Sequence, residues 1–587
     1  MSKFPSLQNI AQAILKTITR FPLETITAVI GTILSIILNE KSYNDPNREL
    51  YQKALMSCSL CFVLFLSVSL FFLASKKNNI LRFLTSLVLG SLIVAFIFSF
   101  HQYITNLEIQ QFIVLNIALH LLVSFAGFIP KRYDQDEFWE FNKQLFLRIL
   151  TAGLYSIVLY SGLALAILAV DNLFNVEFNR NIYLYLFFII VGIFNTIFFL
   201  SGIPETNNKE VPLTLNYPKG LKTFTQFILL PLISVYLVIL ICYEAKILAT
   251  LSLPVGWVSY LVLIFALFGI LSFLLVLPIA KETENLWIRT FNRWFYYLLI
   301  PLLGLLFWAI LYRINLYGFT HDRYYVLLLA ILLSIIVGYF LIQKYPKIKF
   351  IPICLCLGGL FSLVGPQSAN AVSKNSQLSR FEEYVERSQK EKLTFEEEKD
   401  LSSIVDFVKK NHDAKILLPV TNNKLDILIK SQTNPSSFSI MEALGLQYRS
   451  PYDSKKETSD NFYYNYSTNE IQNIHGYDIT FVYYQGLDLT CTDCIKINNV
   501  NYSILSIEKN YGLDLMINQD SIPLRISDFI NTNYLLFKNR VNNTISQRIE
   551  SPKYSILINY LNASGSRKEK KLTLNNYQIR VTIKIKN

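Results

Sequence analysis

Few residues in this 587-residue chain have the type and spacing to do chemistry, and most of those lie inside long apolar stretches. Asn116 and His120 are four residues apart, so a helix puts them on one face. At membrane depth such a pair is costly unless it lines a hydrated path, binds a polar group or bonds to a neighbouring helix. Asn195, in a later apolar run, is a candidate partner for it. Glu244, Lys246 and Arg313 lie near the ends of two similar segments, LLPLISVYLVILICYEAKI and LIPLLGLLFWAILYRINLY, each with an early proline (Pro231, Pro301). The likeness has the form of a parallel internal repeat, as in some transporters. The three charges are candidates to hold an anionic substrate or a lipid headgroup; snorkelling anchorage is the plainer explanation.

The cysteines divide by surroundings. Cys58, Cys61, Cys242, Cys354 and Cys356 sit in apolar runs and read as packing residues. Cys491 and Cys494 form the hydrophilic pair CTDC between two expected strands, which leaves a local disulfide, free thiols, or redox or metal chemistry open. A zinc site there needs two more ligands, and that part of the chain offers only His412 and His475. No metal or cofactor is expected. The sequence has no Walker loop, HExxH, GxSxG or Rossmann glycine pattern, and only five histidines, which leaves carboxylates as the remaining acid–base groups. No catalytic residue is assigned, and an enzyme is the less favoured reading.

The elements that must position these residues follow from solvent. Apolar residues make up 52% of the chain, and charged residues only 16% against the usual ~25%. A helix crosses the hydrocarbon with about 20 apolar residues, because lipid offers its amides no partners. Runs that meet this demand fall at 21–38, 54–74, 79–100, 109–129, 147–170, 182–200, 224–243, 257–279, 294–312, 324–342 and 349–365. The expected fold class is therefore a polytopic α-helical membrane protein of about eleven spans. Leu7, Ile10, Ala11, Ile14, Leu15 and Ile18 make 1–20 an amphipathic interfacial helix that is retained rather than cleaved. The segment 131–148 reads as a second interfacial helix or a partner-docking one, with Phe138, Phe141, Leu145 and Phe146 on one face and Trp139 at headgroup depth.

Counting Lys and Arg in alternate loops gives 17 on the N-terminal side against 7 on the other. That places the N-terminus in the cytoplasm and, with eleven spans, the C-terminal region on the periplasmic or extracellular side. The net charge of +12 is thereby accounted for by orientation; no nucleic-acid motif accompanies it, and no nucleic-acid partner is expected.

After the 21–365 membrane domain, 366–414 reads as a linker with short helices. Thr394-x-x-Glu397 is a capping box, followed by Leu401, Ile404, Val405 and Val408 at helical spacing. From 415 to 587 the chain reads as a soluble exterior α+β domain, mostly β, with strands in DITFVYYQ, YSILSIEK, LDLMINQ, YSILINYL and YQIRVTIKIK.

Several stretches taken together, FWEFNKQLFLRIL with SGLALAILAVDNLF, LPVGWVSYLVLIFALFGIL, and RINLYGFTHDRYYVLLLAILL, resemble a bacterial multi-span membrane family known as domain of unknown function 4153. The resemblance covers about residues 20 to 390. It implies a helical membrane domain in a bacterial envelope protein, and no reaction. It singles out Asn142, Arg148, Gly256, Trp257, Arg313, Gly318, Thr320 and Arg323 without giving them roles. Three functions stay open: a non-enzymatic envelope protein whose exterior domain binds a protein, polysaccharide or peptide; a transporter or lipid translocator; and a membrane-embedded enzyme acting on lipid-linked substrates.

Overall fold

The computed structural model describes residues 7–42, 44–101, 104–174, 176, 178–205, 213, 215–250, 257–278, 286–421, 425–431, 435–453, 460–466, 474–533, 546–568 and 571–586. Gly256 and the cations Lys3, Lys209 and Lys281 lie outside them. The chain forms two compact units, Met1–Arg449 and Ser450–Asn587.

In the first unit every expected apolar run contains a helix, since only a helix closes its own amides in a long apolar segment. After α1 (Leu7–Arg20) come α2 (Pro22–Glu40), α3 (Arg48–Ser75), α4 (Asn79–Phe98), α5 (Asn106–Ala126) and α6 (Gln135–Phe174). The sixth run is α7 (Asn181–Ile189) and α8 (Asn195–Ser201) around a π-helical turn, Ile190–Phe194. The seventh is α9 (Lys219–Phe224), a second π turn at Thr225–Leu229, and α10 (Leu230–Thr250). Then follow α11 (Trp257–Val276), α12 (Leu286–Tyr317), α13 (His321–Ile342) and α14 (Phe350–Phe361).

Among the described residues nine helices are long and apolar enough to cross a bilayer, and two shorter apolar ones, Tyr260–Val276 and Phe350–Phe361, fill the remaining runs. At about 1.5 Å per residue the 12-residue α14 falls well short of the hydrocarbon thickness. Large apolar side chains point away from the protein, among them Leu84, Val88 and Leu92 on α4, Ile157 and Val158 on α6 and Val238 on α10. In water that surface would drive aggregation; in lipid it costs nothing. The chain is a membrane protein. Two apolar clusters hold the helices together, one centred on α3, α5 and the start of α6, the other on α10 to α13.

Two local expectations change. The segment 131–148 is not a separate surface helix: Gln135–Phe174 is one helix of 40 residues, and Phe138, Trp139, Phe141 and Leu145 are buried while Phe146 is exposed. The apolar face that sequence alone assigns to the lipid surface is instead packed against protein. The proline repeat also dissolves locally. Pro231 follows a π turn, whereas Pro301 lies within the continuous α12.

Beyond the spans, α15 (Ala369–Lys390), α16 (Phe395–Asn411), a 3₁₀ segment Ala414–Val420, α17 (Asp426–Ser431) and α18 (Ser437–Ala443) build a helical cap. Its core is Phe381, Leu401, Val405, Leu417, Ile440 and Met441. The capping box forms, with Thr394 Oγ1 accepting from the Glu397 amide and the Glu397 carboxylate accepting from the Thr394 amide. The expected change to strands at 415 does not occur. Leu417, Ile440 and Met441 bury against α16 as helical segments, so the unit boundary moves to Arg449, whose guanidinium bonds Glu398 at 3.0 Å.

The second unit carries two antiparallel sheets. Its strands are β1 (Asp460–Tyr466), β2 (Ile479–Tyr484), β3 (Thr490–Ile497), β4 (Val500–Lys509), β5 (Gly512–Ile517), β6 (Asp520–Leu524), β7 (Gln547–Glu550), β8 (Tyr554–Lys568) and β9 (Lys571–Ile585), with α19 (Ile526–Thr532) between β6 and β7. One sheet runs β1-β8-β9-β2 with β7 also on β8; the other is the meander β3-β4-β5-β6. Alternating residues such as Ile556, Ile558, Ile579, Val581 and Ile583 fill the shared core.

Candidate functional site

The polar residues singled out inside the spans do not converge. Asn116 donates to Ser59 Oγ on α3 at 3.3 Å, and the ring of His120, exposed at the helix surface, bonds the Asn116 carbonyl of its own helix at 2.8 Å. Asn195 is not the partner of that pair. It accepts from Ser156 Oγ on α6 at 3.3 Å, so each amide joins a different pair of helices. Glu244 is buried on α10 while Lys246 is exposed, and among the described residues no ion pair joins Glu244 to Lys246 or Arg313. These residues are placed as local interhelical or surface groups.

Polar side chains do gather at the two ends of the first unit. Loops that charge counting puts on the lysine-rich side bond to one another. Arg20 donates to the Ile203 carbonyl at 2.9 Å, Arg82 donates to the Arg20 carbonyl at 3.3 Å, and Lys349 lies over the Tyr133 ring. Arg82 and Arg148, both within helices and outside the loop count, belong to this end too, since Arg148 packs against Gly202. Here the start of α6 carries a buried ion pair. Glu140, 1% exposed, accepts from Lys143 Nζ at 2.7 Å, Gln144 Nε2 at 2.8 Å and the Asn216 amide at 3.0 Å. Lys143 also donates to the Asn216 carbonyl, and the Trp139 indole N–H to the Leu274 carbonyl at 2.7 Å. Both oxygens of Glu140 and the Lys143 ammonium thus have hydrogen-bond partners, which is the condition for such a pair to persist.

The opposite end is built by loops of the other set. Lys53 reaches the Phe100 carbonyl, Asn181 bonds Glu40, and Gln110 bonds Asp322. Its centre is the turn from α12 to α13. Gly318 ends α12 with φ +68°, a conformation open to glycine and strained for other residues, and its N–H closes onto the Ile314 carbonyl at 2.8 Å. Thr320 then caps α13. Arg323 turns back so that Nη1 donates to the carbonyls of Tyr317 at 3.0 Å and Gly318 at 2.9 Å. The cap is clamped onto the same turn. Gln377 Nε2 donates to the carbonyls of Tyr317 and Phe319, Ser376 Oγ accepts from the Phe319 amide at 2.9 Å, and Tyr324 donates to the Gln367 carbonyl at 2.7 Å. A Cβ on Gly318 would meet Ser376, Gln377 and Arg380 at 2.9 Å, so the turn and α15 are fitted to each other.

Between the turn, α15 and α16 lies a small polar cleft of about 50 Å³, open on one side and lined by Thr320, Arg323, Gln377, Arg380, Asp400 and Ser403 among others. Asp400 accepts from Arg380 at 2.7 Å and Tyr384 at 2.9 Å. Beside it three of the five histidines draw together. His321, 3% exposed, stacks near Phe407 and has its ring centroid 6.3 Å from that of His412, and the Nε2 atoms of both rings are buried without a hydrogen bond. His101, on the neighbouring loop, bonds Glu108 at 2.8 Å. Burial holds His412 down to about 4, with the positive charge of His321, Lys374 and His101 acting the same way. This assembly escapes sequence reading because its parts come from 101, 317–323, 374–380 and 400–412. The only sequence signals are the glycine in RINLYGFTHDR and the basic–polar start of α13.

Cys491 and Cys494 lie on β3 itself rather than between strands, and their sulfurs are in bonding contact with the Cα atoms 5.5 Å apart. The β3–β4 register shifts between Cys491 and Ile495, with Asp493 at φ +49°, so the link spans a β-bulge. Ser503 on β4 bonds both the amide and the carboxylate of Asp493. Among the described residues no group of three His, Cys, Asp or Glu side chains is arranged to hold a metal ion.

Residues 60–388 match the family described as Domain of unknown function (DUF4153), from within α3 to near the end of α15. An uncharacterized protein of Pasteurella multocida (strain Pm70) is 27% identical over 296 residues, covering 46% of this chain and 50% of that relative. The chain therefore matches about half the length of that relative. No solved structure matches.

Proposed function

The chain belongs to the DUF4153 family of unknown function, and from that premise we propose that it is a multi-span protein of the bacterial inner membrane that mounts a binding domain on the cell exterior. The N-terminus is cytoplasmic, α1 lies in the interface, and residues 450–587 face the periplasm or extracellular space. There they bind an envelope protein, a polysaccharide or a peptide. The protein performs no reaction of its own in this reading.

The observation that carries it is the clamp between the α12–α13 turn and α15. Four hydrogen bonds, made by Tyr324, Ser376 and Gln377, hold the helical cap against the span ends. The chain therefore leaves the spans through a cap that is fixed to them before residues 450–587 begin. Engagement of Asn116 and Asn195 in separate interhelical bonds favours mounting over transport.

The test uses a strain lacking the protein and scores its envelope permeability. A chain ending at Arg449 is expected to reach the membrane at normal abundance and fail to restore the barrier, while the full chain restores it. Asn116→Ala with His120→Ala is expected to restore it as well. Rescue by the shortened chain, or loss of rescue in the double variant at normal abundance, would move the function into the spans.

A further inference from the structure

The cleft under the cap has more positive charge than its neighbours neutralise. Arg380 is paired with Asp400. Arg323 donates only to carbonyls among the described residues, both through Nη1, and lies over the Tyr317 ring, which leaves Nε and Nη2 of its guanidinium without a hydrogen bond there. Arg313 and Arg380 both lie within electrostatic range of Arg323, with Asp400 the one opposing charge. Two guanidiniums, Arg323 and Arg380, line the cleft against the one carboxylate of Asp400, a net surplus, and it sits where α12 ends and α13 begins, at the expected level of lipid headgroups. That is an unusual place for it: basic residues are scarce in the loops of this end. Guanidinium is the side chain whose planar fork fits a phosphate oxygen pair. The lining adds the hydroxyl of Thr320 and the exposed hydroxyl of Ser403. At about 50 Å³ the space is far smaller than a pocket for a drug-sized ligand and has room only for one small group.

We propose that the cleft between the α12–α13 turn and helices α15 and α16 binds a phosphate group at the membrane surface, either the phosphodiester of an anionic lipid or a free phosphate. Arg323 supplies the unneutralised charge, Arg380 is held in place by Asp400, and the cap forms the far wall. This inference concerns the membrane unit and stands apart from whatever residues 450–587 bind.

The experiment follows thermal unfolding of the full chain in neutral detergent after delipidation. Inorganic phosphate, a short-chain phosphatidylglycerol and an uncharged short-chain diacylglycerol are titrated separately. Arg323→Gln tests the charge but also removes a helix-end bond. Ser403→Glu is the cleaner variant, because Ser403 is exposed, makes no hydrogen bond among the described residues, and places a carboxylate at the cleft. Ser403→Gln is its uncharged control. The wild type and Ser403→Gln are expected to be stabilised by phosphatidylglycerol or phosphate and not by diacylglycerol. Ser403→Glu should need about tenfold more ligand or more, the loss of one charge-assisted contact. Response to phosphatidylglycerol alone assigns the lipid phosphodiester; equal response to both assigns the free anion. No response to either, or an unchanged response in Ser403→Glu, overturns the proposal.

Discussion

His412 shows how a single side chain couples the cap to acidity. Its ring is buried beside His321 from α13, Lys374 from α15 and His101 from the α4–α5 loop, and folding lowers it from 6.5 to about 4. A depressed imidazole is held neutral in the folded chain, while the unfolded chain takes up its proton at the higher value. Its contribution to stability is therefore complete above pH 6.5 and is lost as pH falls from there through about 4. Thermal unfolding of the full chain in detergent should show that decline, and His412→Phe should flatten it. An equal slope in the variant would mean that other groups carry the acid sensitivity. At the same scale, Asn116 and Asn195 illustrate a limit of reading residues singly. Each looked able to serve a path through the membrane, and each is engaged by a serine on the adjacent helix.

At the scale of the element, α6 is the clearest case of tertiary context deciding what a pattern means. Its amphipathic start has the composition of a helix lying on lipid, yet Phe141 and Trp139 are buried and the neighbouring Glu140 and Lys143 form a buried internal pair. Removing one partner strands the other charge, so Lys143→Met is expected to cost about 3–5 kcal/mol. Replacing both, as in Lys143→Met with Glu140→Leu, should recover most of that. Thermal unfolding in detergent measures the difference, and a double variant as unstable as the single one would show that the helix start depends on the charges themselves. The bulge in β3 is a second case. The cysteine link closes a very short loop, for which the chain-entropy estimate is about 2 kcal/mol, and Ser503 holds the bulge independently. Reduction should therefore lower the stability of residues 450–587 by about that amount and leave both sheets folded. Collapse of the far-ultraviolet strand signal on reduction would contradict it.

For the whole molecule, the division into long apolar helices and a C-terminal region of sheets was legible in the chain. Long runs without charge must become helices in lipid because the alternative strands their amides, and all eleven runs contain one. Strands β2, β4, β5, β8 and β9 followed from apolar alternation, since a sheet with one buried face imposes that period. Residues 450–587 form a compact unit with their own core. Expressed alone, they are expected to be monodisperse without detergent, as sedimentation would show, whereas aggregation would mean that their fold needs the membrane unit. Helix identity and strand period are local properties, set by the residue's own amide and its nearest neighbours in sequence, and the chain alone determined them. The helical fate of 415–449, the inward face of α6, and the meeting of Arg323, Arg380 and Asp400 with His321 and His412 were decided only by the tertiary structure. They depend on which surfaces are left to cover once the spans have packed, and on contacts between residues far apart in the chain, which no periodicity encodes.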